Sequence, residues 1–440
     1  MQGIKERLIG LLESKSEDNI FKYLANVKNS NNFVPGKTPV YYSGPYWDEE
    51  EIAAIFDSLI SGKWLSSGEH VRKFEVAFSK KFGFKSSVMV NSGSSANLVL
   101  IAALKKYFGW SDGDEIIVSC VGFPTTLNPI IQNGLKPVFV DINFDDLNWN
   151  LDEVERKISA KTVAVFSSPV LGNPYDLDRL VNICEKNNVK IIADNCDSLG
   201  SKWRDKFLTE YAVAASCSFY PAHHITTCEG GMVSSNIPEV ISLARSFAWW
   251  GRDCYCVGSA NLLSCGTCGK RFDKWISGYD EIVDHKYVFS NIGYNLKPLD
   301  FQGAIGSIQL KKFDKIHQIR RENKDRIHES VEKIKGVRVV DELVHSETSW
   351  FGVPIVCNTK GLKQDFVKYL EDNKIQTRNY FAGNILLHPA YSHIEDYRNY
   401  PNSNKVLDNV FFIGCSPTLS KEMISYICKM IEGYGGLNEC

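Results

Sequence analysis

The chain has 440 residues, with 50 Lys and Arg against 52 Asp and Glu, giving a formal net charge of -2. That near-neutral balance argues against general nucleic-acid binding, and the 44% hydrophobic, 23% charged composition is ordinary for a soluble chain long enough for two domains. No apolar run is long enough to span a bilayer, and the opening MQGIKERLIGLLESKSED lacks a signal peptide's apolar core, so a cytoplasmic protein with no membrane partner is expected. Residues 1–45 read as a helix followed by an irregular arm. A helix follows near Asp48–Ser61, with Ile52, Ile55, Phe56 and Leu59 on one face.

From Ser87 the pattern alternates. The apolar runs SVMV (87–90), EIIVS (115–119), PVFV (137–140), TVAVF (162–166) and VKIIA (189–193) read as strands. Amphipathic helices such as Ala96–Phe108 and Leu177–Lys186 separate most of them. Repeated strand–helix units with continuously apolar strands predict an α/β fold, a mainly parallel sheet covered on both faces. Residues 46–310 form this large domain. A helical segment spans about Leu299 to Lys333, and residues 311–440 read as a smaller α+β domain.

Three stretches carry candidate chemistry. Asn91-Ser92-Gly93-Ser94-Ser95 lies between a strand and a helix, where backbone N–H groups and hydroxyls suit a phosphate; an ordinary capped helix reads the same way. Asp194 closes the strand VKIIAD. The stretch SCSFYPAHHITTCEGG (216–231) leaves a strand at Ser218, turns through Pro221-Ala222 into His223-His224 and folds back at Gly230-Gly231.

The last stretch resembles the lysine loop of the DegT/DnrJ/EryC1/StrS sugar aminotransferases, a fold-type I pyridoxal phosphate family whose pattern is roughly S-F-x-x-x-K followed by GEGG. His223 stands in the lysine position, and the second motif reads CEGG. Histidine moves protons but cannot hold the cofactor aldehyde covalently. The resemblance therefore implies pyridoxamine phosphate (PMP, the amine form of pyridoxal phosphate, PLP) and a chemistry other than plain transamination. It also implies that Asp194 pairs with the pyridine nitrogen, that Phe123 stacks on the ring, that Gly93, Ser94 and Ser218 contact the phosphate, and that Asn295 reaches the phosphate of a partner subunit in a homodimer. Asp197 and Lys297 depart from the commoner family residues, and Asp197 lies among the cofactor-site positions.

Thirteen cysteines, an odd number, suit free thiols or metal ligands in a reducing compartment. RDCYCVGSANLLSCGTCGKRF, within a cysteine-rich insertion at 252–285, places Cys254, Cys256, Cys265 and Cys268 within fifteen residues, spacing that also suits a structural zinc knuckle. The segment resembles the iron–sulfur 3-dehydratases of nucleotide sugars. That resemblance implies a [2Fe-2S] cluster on Cys196, Cys254, Cys256 and Cys268, with Cys265 competing for the fourth place. Cys196 lies two residues beyond Asp194, so an extended chain would put both side chains on one face.

The expected activity is C3 dehydration and deoxygenation of a nucleotide-linked 4-keto-6-deoxyhexose, a CDP-hexulose by closest resemblance, with electrons from a separate flavin/iron–sulfur reductase. A cluster-free GDP-4-keto-6-deoxymannose-type dehydratase and a non-catalytic nucleotide-sugar-binding relative with structural zinc are the alternatives. The cysteine insertion speaks against the first, and the retained Asp194, Gly93-Ser94 and Ser218 against the second.

Overall fold

The computed structural model describes residues 33–62, 64–253 and 271–437. The first described helix, α1 (Glu49–Ser61), starts at a capping box: the Asp48 side chain accepts from the Glu50 N–H, and Glu51 accepts from the Asp48 N–H at 2.9 Å. Part of its apolar face turns outward. Phe56, Leu59 and Ile60 are exposed, Ile60 by 83%, while fully buried Glu51 faces inward and is held by Gln309 at 2.7 Å and Lys312 at 2.8 Å. Helix α2 (Glu69–Lys81) buries Val71, Phe74 and Phe78.

The alternating segment builds β1 (Ser86–Val90), α3 (Gly93–Phe108), β2 (Glu115–Ser119), α4 (Pro124–Gln132), β3 (Lys136–Val140), α5 (Leu151–Lys157), β4 (Thr162–Ser167), α6 (Leu177–Lys186) and β5 (Lys190–Asp194). A short hairpin, β6 (Lys202–Trp203) and β7 (Lys206–Phe207), precedes β8 (Ala214–Ser218), β9 (Gly231–Ser235) and α7 (Pro238–Ala248). Seven of these strands form one sheet in the order β1-β9-β8-β5-β4-β2-β3. Only β9 runs antiparallel to its neighbours. The apolar strands are buried on both faces, one against α3, α4 and α7 and the other against α2 and the long helix that follows.

That helix, α8 (Asp300–Val331), is 32 residues long and unbroken. It passes through residue 310, packing on α1 and α2 with its first half. Its second half meets β10 (Val337–Val339) of the smaller unit. After β11 (Ser346–Glu347), the smaller unit adds β12 (Gly352–Cys357), α9 (Leu362–Asp372), β13 (Thr377–Asn379), α10 (Pro401–Asn409), β14 (Val410–Gly414) and α11 (Lys421–Leu437). Its four-stranded antiparallel sheet has the order β10-β12-β14-β13. Among the described residues no helix is long and apolar enough to cross a membrane.

Candidate active site

The carboxyl ends of β1, β2, β5 and β8 meet along one edge of the large sheet, where sheets of this kind gather ligands. Strand β5 delivers Asp194 there, 3% exposed and in register with Ser216 of β8. One carboxylate oxygen accepts from Asn97 Nδ2 at 2.9 Å and from Thr126 Oγ1 at 2.7 Å; the other accepts the Cys196 N–H at 3.2 Å. Three donors offset the burial of the carboxylate and fix its direction.

Beside it, the Ser92 side chain caps α3 by accepting the Ser95 N–H at 3.1 Å. A Cβ on Gly93 would lie 2.5 Å from Ser218 Cβ, and one on Gly231 would lie 2.2 Å from the Ser92 carbonyl oxygen. Glycine at both places lets the β1–α3 turn close onto the β8 and β9 ends. The N-terminal end of α3, the exposed Ser94 and the nearly buried Ser218 thus share one corner, a ready anion cradle.

His223 sits five residues beyond the end of β8, in a turn stitched by its own backbone. Phe219 donates to the Gly230 carbonyl at 2.8 Å, Thr227 to Phe219 at 3.0 Å and His223 to Tyr220 at 3.0 Å. The Phe219 ring anchors this turn against Phe74 at 5.2 Å. The His223 ring lies 5.1 Å from that of Phe351, and its buried Nδ1 has no hydrogen-bond partner, standing 3.8 Å from Asp197 Oδ1. Burial, then the nearby Arg320 guanidinium, push His223 down to about 3, partly offset by the Cys196 backbone, so the imidazole is neutral. Burial, then Asp194, push Asp197 up to about 8. His224 points elsewhere: it is 2% exposed, and its Nε2 meets the Ser349 carbonyl at 2.8 Å.

The structure thus brings Gly93, Ser94, Asp194, Asp197, Ser218 and His223 to one sheet edge. Phe123 caps the start of α4 at the end of β2, 53% exposed, with its ring 6.0 Å from Phe381. Asn295 is exposed and accepts from Lys297; among the described residues no hydrogen bond joins it to Asp194, Ser218 or His223. Its neighbour Leu296 does accept the Asn91 N–H at 2.9 Å, tying that segment to the end of β1. The Lys297 ammonium lies 3.3 Å from the Trp250 ring centroid. Desolvation, then Arg252, lower it to about 8.

The chain does not stay extended past Asp194. Residues 196–200 turn, and Cys196 approaches Asp194 through its backbone N–H instead. Its thiol is pushed well up by burial, then by Asp194 and Cys217. Cys254, Cys256, Cys265 and Cys268 lie outside the described residues. Among the described residues no cluster of His, Cys, Asp or Glu is arranged to hold a metal ion.

Arg320, from α8, was not singled out by motif. It is 1% exposed and donates to four backbone carbonyls: Trp350 at 3.2 Å, Phe351 at 3.0 Å, Ala222 at 3.2 Å and His223 at 3.2 Å. One sequence signal existed. Arg320 falls four residues after Ile316 and seven before Ile327, inside the buried apolar stripe of α8.

Residues 45–432 match the model of the DegT/DnrJ/EryC1/StrS aminotransferase family. The chain is 36% identical over 416 residues to dTDP-4-dehydro-2,6-dideoxy-D-glucose 3-dehydratase of Saccharopolyspora spinosa, covering 92% of this chain and 89% of that protein. It is 34% identical to the lipopolysaccharide biosynthesis protein RfbH of Salmonella typhimurium, covering 95% and 97% respectively. Among solved structures, E. coli GDP-4-keto-6-deoxy-D-mannose-3-dehydratase with bound hydrated PLP superposes with a TM-score of 0.78 at 28% identity, covering 90% of this chain and all of that one. The chain belongs to the DegT/DnrJ/EryC1/StrS aminotransferase family and has the fold-type I architecture of a pyridoxal phosphate enzyme.

Proposed function

We propose that this chain is a PMP-dependent nucleotide-sugar 4-keto-6-deoxyhexose 3-dehydratase. The observation that carries the reading is His223, a neutral imidazole in the family's lysine position, its Nδ1 unpartnered at the edge that holds Asp194. The 3-dehydratases among its relatives support the same reaction.

The residues present fit the cofactor. The Gly93–Ser218 contact leaves a corner that a side chain would fill, and the Asp194 carboxylate is held ready by three donors. Bound PMP supplies an amine for the substrate's C4 ketone and a pyridine ring that takes up negative charge. Asp194 would hold the ring nitrogen protonated, and Phe123 would cover a ring face. Gly93, Ser94, Ser218 and the first-turn amides of α3 would hold the phosphate. His223 would remove the proton from the cofactor C4′ carbon as the C3 hydroxyl departs. Asp197 lines the same edge near His223.

Asn295 would reach the phosphate site of the partner in a homodimer. The outward apolar face of α1 supports such pairing, since a chain exposing Phe56, Leu59 and Ile60 together gains by covering them. Cys196, Cys254, Cys256 and Cys268 would hold a [2Fe-2S] cluster, which when bound carries single electrons from a separate flavin/iron–sulfur reductase. Three closely spaced thiols, with Cys196 next to Asp194, support that ligand set, and Cys265 is the rival for the fourth place. The proposed substrate is CDP-4-keto-6-deoxyglucose, in keeping with the lipopolysaccharide role of the Salmonella relative.

An ultraviolet–visible spectrum and iron analysis of anaerobically purified protein test cofactor and cluster together, with about two irons per chain expected. Metal-free protein that dehydrates its substrate would replace this reading with the cluster-free enzyme. Consumption of CDP-4-keto-6-deoxyglucose with a reductase present is expected. Turnover of only GDP- or dTDP-linked sugars would correct the nucleotide and leave the reaction standing.

A further inference from the structure

We propose that Arg320 is a positioning residue for His223, a buried clamp that fixes the imidazole by gripping the backbone on both sides of it. The inference rests on the reading of His223 as the base. The polar neighbours of the imidazole, Asp197 Oδ1 at 3.8 Å and the Cys196 backbone, leave Nδ1 without a well-formed hydrogen bond to fix the ring. Its direction comes from the turn that carries it and from packing on Phe351. Arg320 bonds the main-chain carbonyls of both: Nη2 serves Ala222 and His223, and Nη1 serves Trp350 and Phe351. One guanidinium thus ties together the two residues whose rings touch.

Only arginine does this. Its planar fork sends paired donors in two directions from a rigid group, whereas a lysine ammonium is a single point that cannot span both carbonyl pairs. The arrangement is also costly. A cation with 1% exposure has left water, and its main compensation is four carbonyls rather than a paired carboxylate. The adjacent Arg321 shows the ordinary structural use. It forms a paired bond to Glu342 at 2.8 and 3.0 Å and reaches the Thr348 carbonyl, without a hydrogen bond to the 219–230 turn. Arg321 is therefore the matched control.

The test compares Arg320→Lys, Arg320→Gln and Arg321→Gln with the parent protein in three measurements: PMP affinity, deuterium exchange at C4′ of bound PMP with its facial selectivity by NMR, and carbethoxylation of His223 without added cofactor, read by peptide mass spectrometry. For Arg320→Lys we expect unchanged PMP affinity, exchange slowed about 10²-fold, as for a base misplaced by about 1 Å, and loss of preference between the two C4′ hydrogens. Carbethoxylation of His223 should accelerate. Arg321→Gln should lower the melting temperature and leave all three measurements unchanged. If Arg320→Lys keeps parental selectivity and carbethoxylation, or loses PMP affinity and exchange in step with Arg321→Gln, the clamp is overturned. Should Arg320→Lys fail to fold, Arg320→Gln decides: its amide can serve one carbonyl pair but not both, and parental selectivity and modification in it would overturn the proposal. Normal exchange in His223→Asn would sink the base assignment instead, while carbethoxylation still reports on the clamp.

Discussion

Asp194 and His223 stand at the ends of adjacent parallel strands and are held in opposite ways. Asp194 is fixed through its side chain: all three of its bonds end on the carboxylate. His223 is fixed through its backbone, with its carbonyl bound by Arg320, its N–H bound to Tyr220 and Nδ1 left unpartnered. The difference matches the chemistry proposed for each. A carboxylate that keeps its charge beside a ring nitrogen gains from every donor aimed at it. A base that must take and return a proton loses reactivity with each bond that satisfies its nitrogen. Where the two share a feature, it is burial, and burial alone would not have told them apart.

The contrast can be broken most sharply at His223. Replacing it by Asn should slow C4′ exchange and sugar dehydration about 10³-fold while PMP still binds. Near-normal exchange in that variant would make the residue structural. His223→Lys should let PLP attach covalently, with borohydride fixing it to position 223. Asp194→Asn should come next, with catalysis lowered about 10²-fold by loss of one preorganised charge and the cofactor bound more weakly; equal activity would show that the carboxylate only organises Asn97 and Thr126. Thr126→Val removes one of the three donors and should weaken cofactor retention by about 2 kcal/mol, measured by equilibrium dialysis. An unchanged dissociation constant would mean that the donor set is redundant. The smallest effect on turnover belongs to His224→Asn, which breaks the bond to the Ser349 carbonyl. It should cost about 1–3 kcal/mol of stability in urea and retain clear activity. Loss of activity with intact stability would exchange the roles of the two histidines.

Much of this was legible in the chain. The strands at 115–119 and the helix at Leu177–Lys186 follow the expected bounds, because continuous apolar runs and strong amphipathic periodicity leave little choice. The face of α1 was legible as apolar, but not its outward direction, since the burial of Glu51 depends on Lys312 and Gln309, more than 250 residues away. The turn after Asp194 was missed because spacing alone assumes that a strand continues. Arg320 was illegible as a clamp for a plain reason: its four partners are backbone carbonyls, which every residue possesses and no motif encodes.

The continuity of α8 has a consequence for synthesis of the chain. α2 completes its packing only when α8 lies across it, with Gly303 close against the Val71 backbone and Gly306 against the Phe74 ring. On the ribosome the end of α2, residue 81, therefore waits for the end of α8, residue 331. At about 5–20 residues per second those 250 residues take roughly 10–50 s, during which Phe74 lacks its contact with Gly306 and Phe82 its contact with Phe313. The nascent chain thus carries an aromatic cluster through most of its translation, a window in which holding chaperones would act and in which a pause in the codons between β9 and α8 would be felt most.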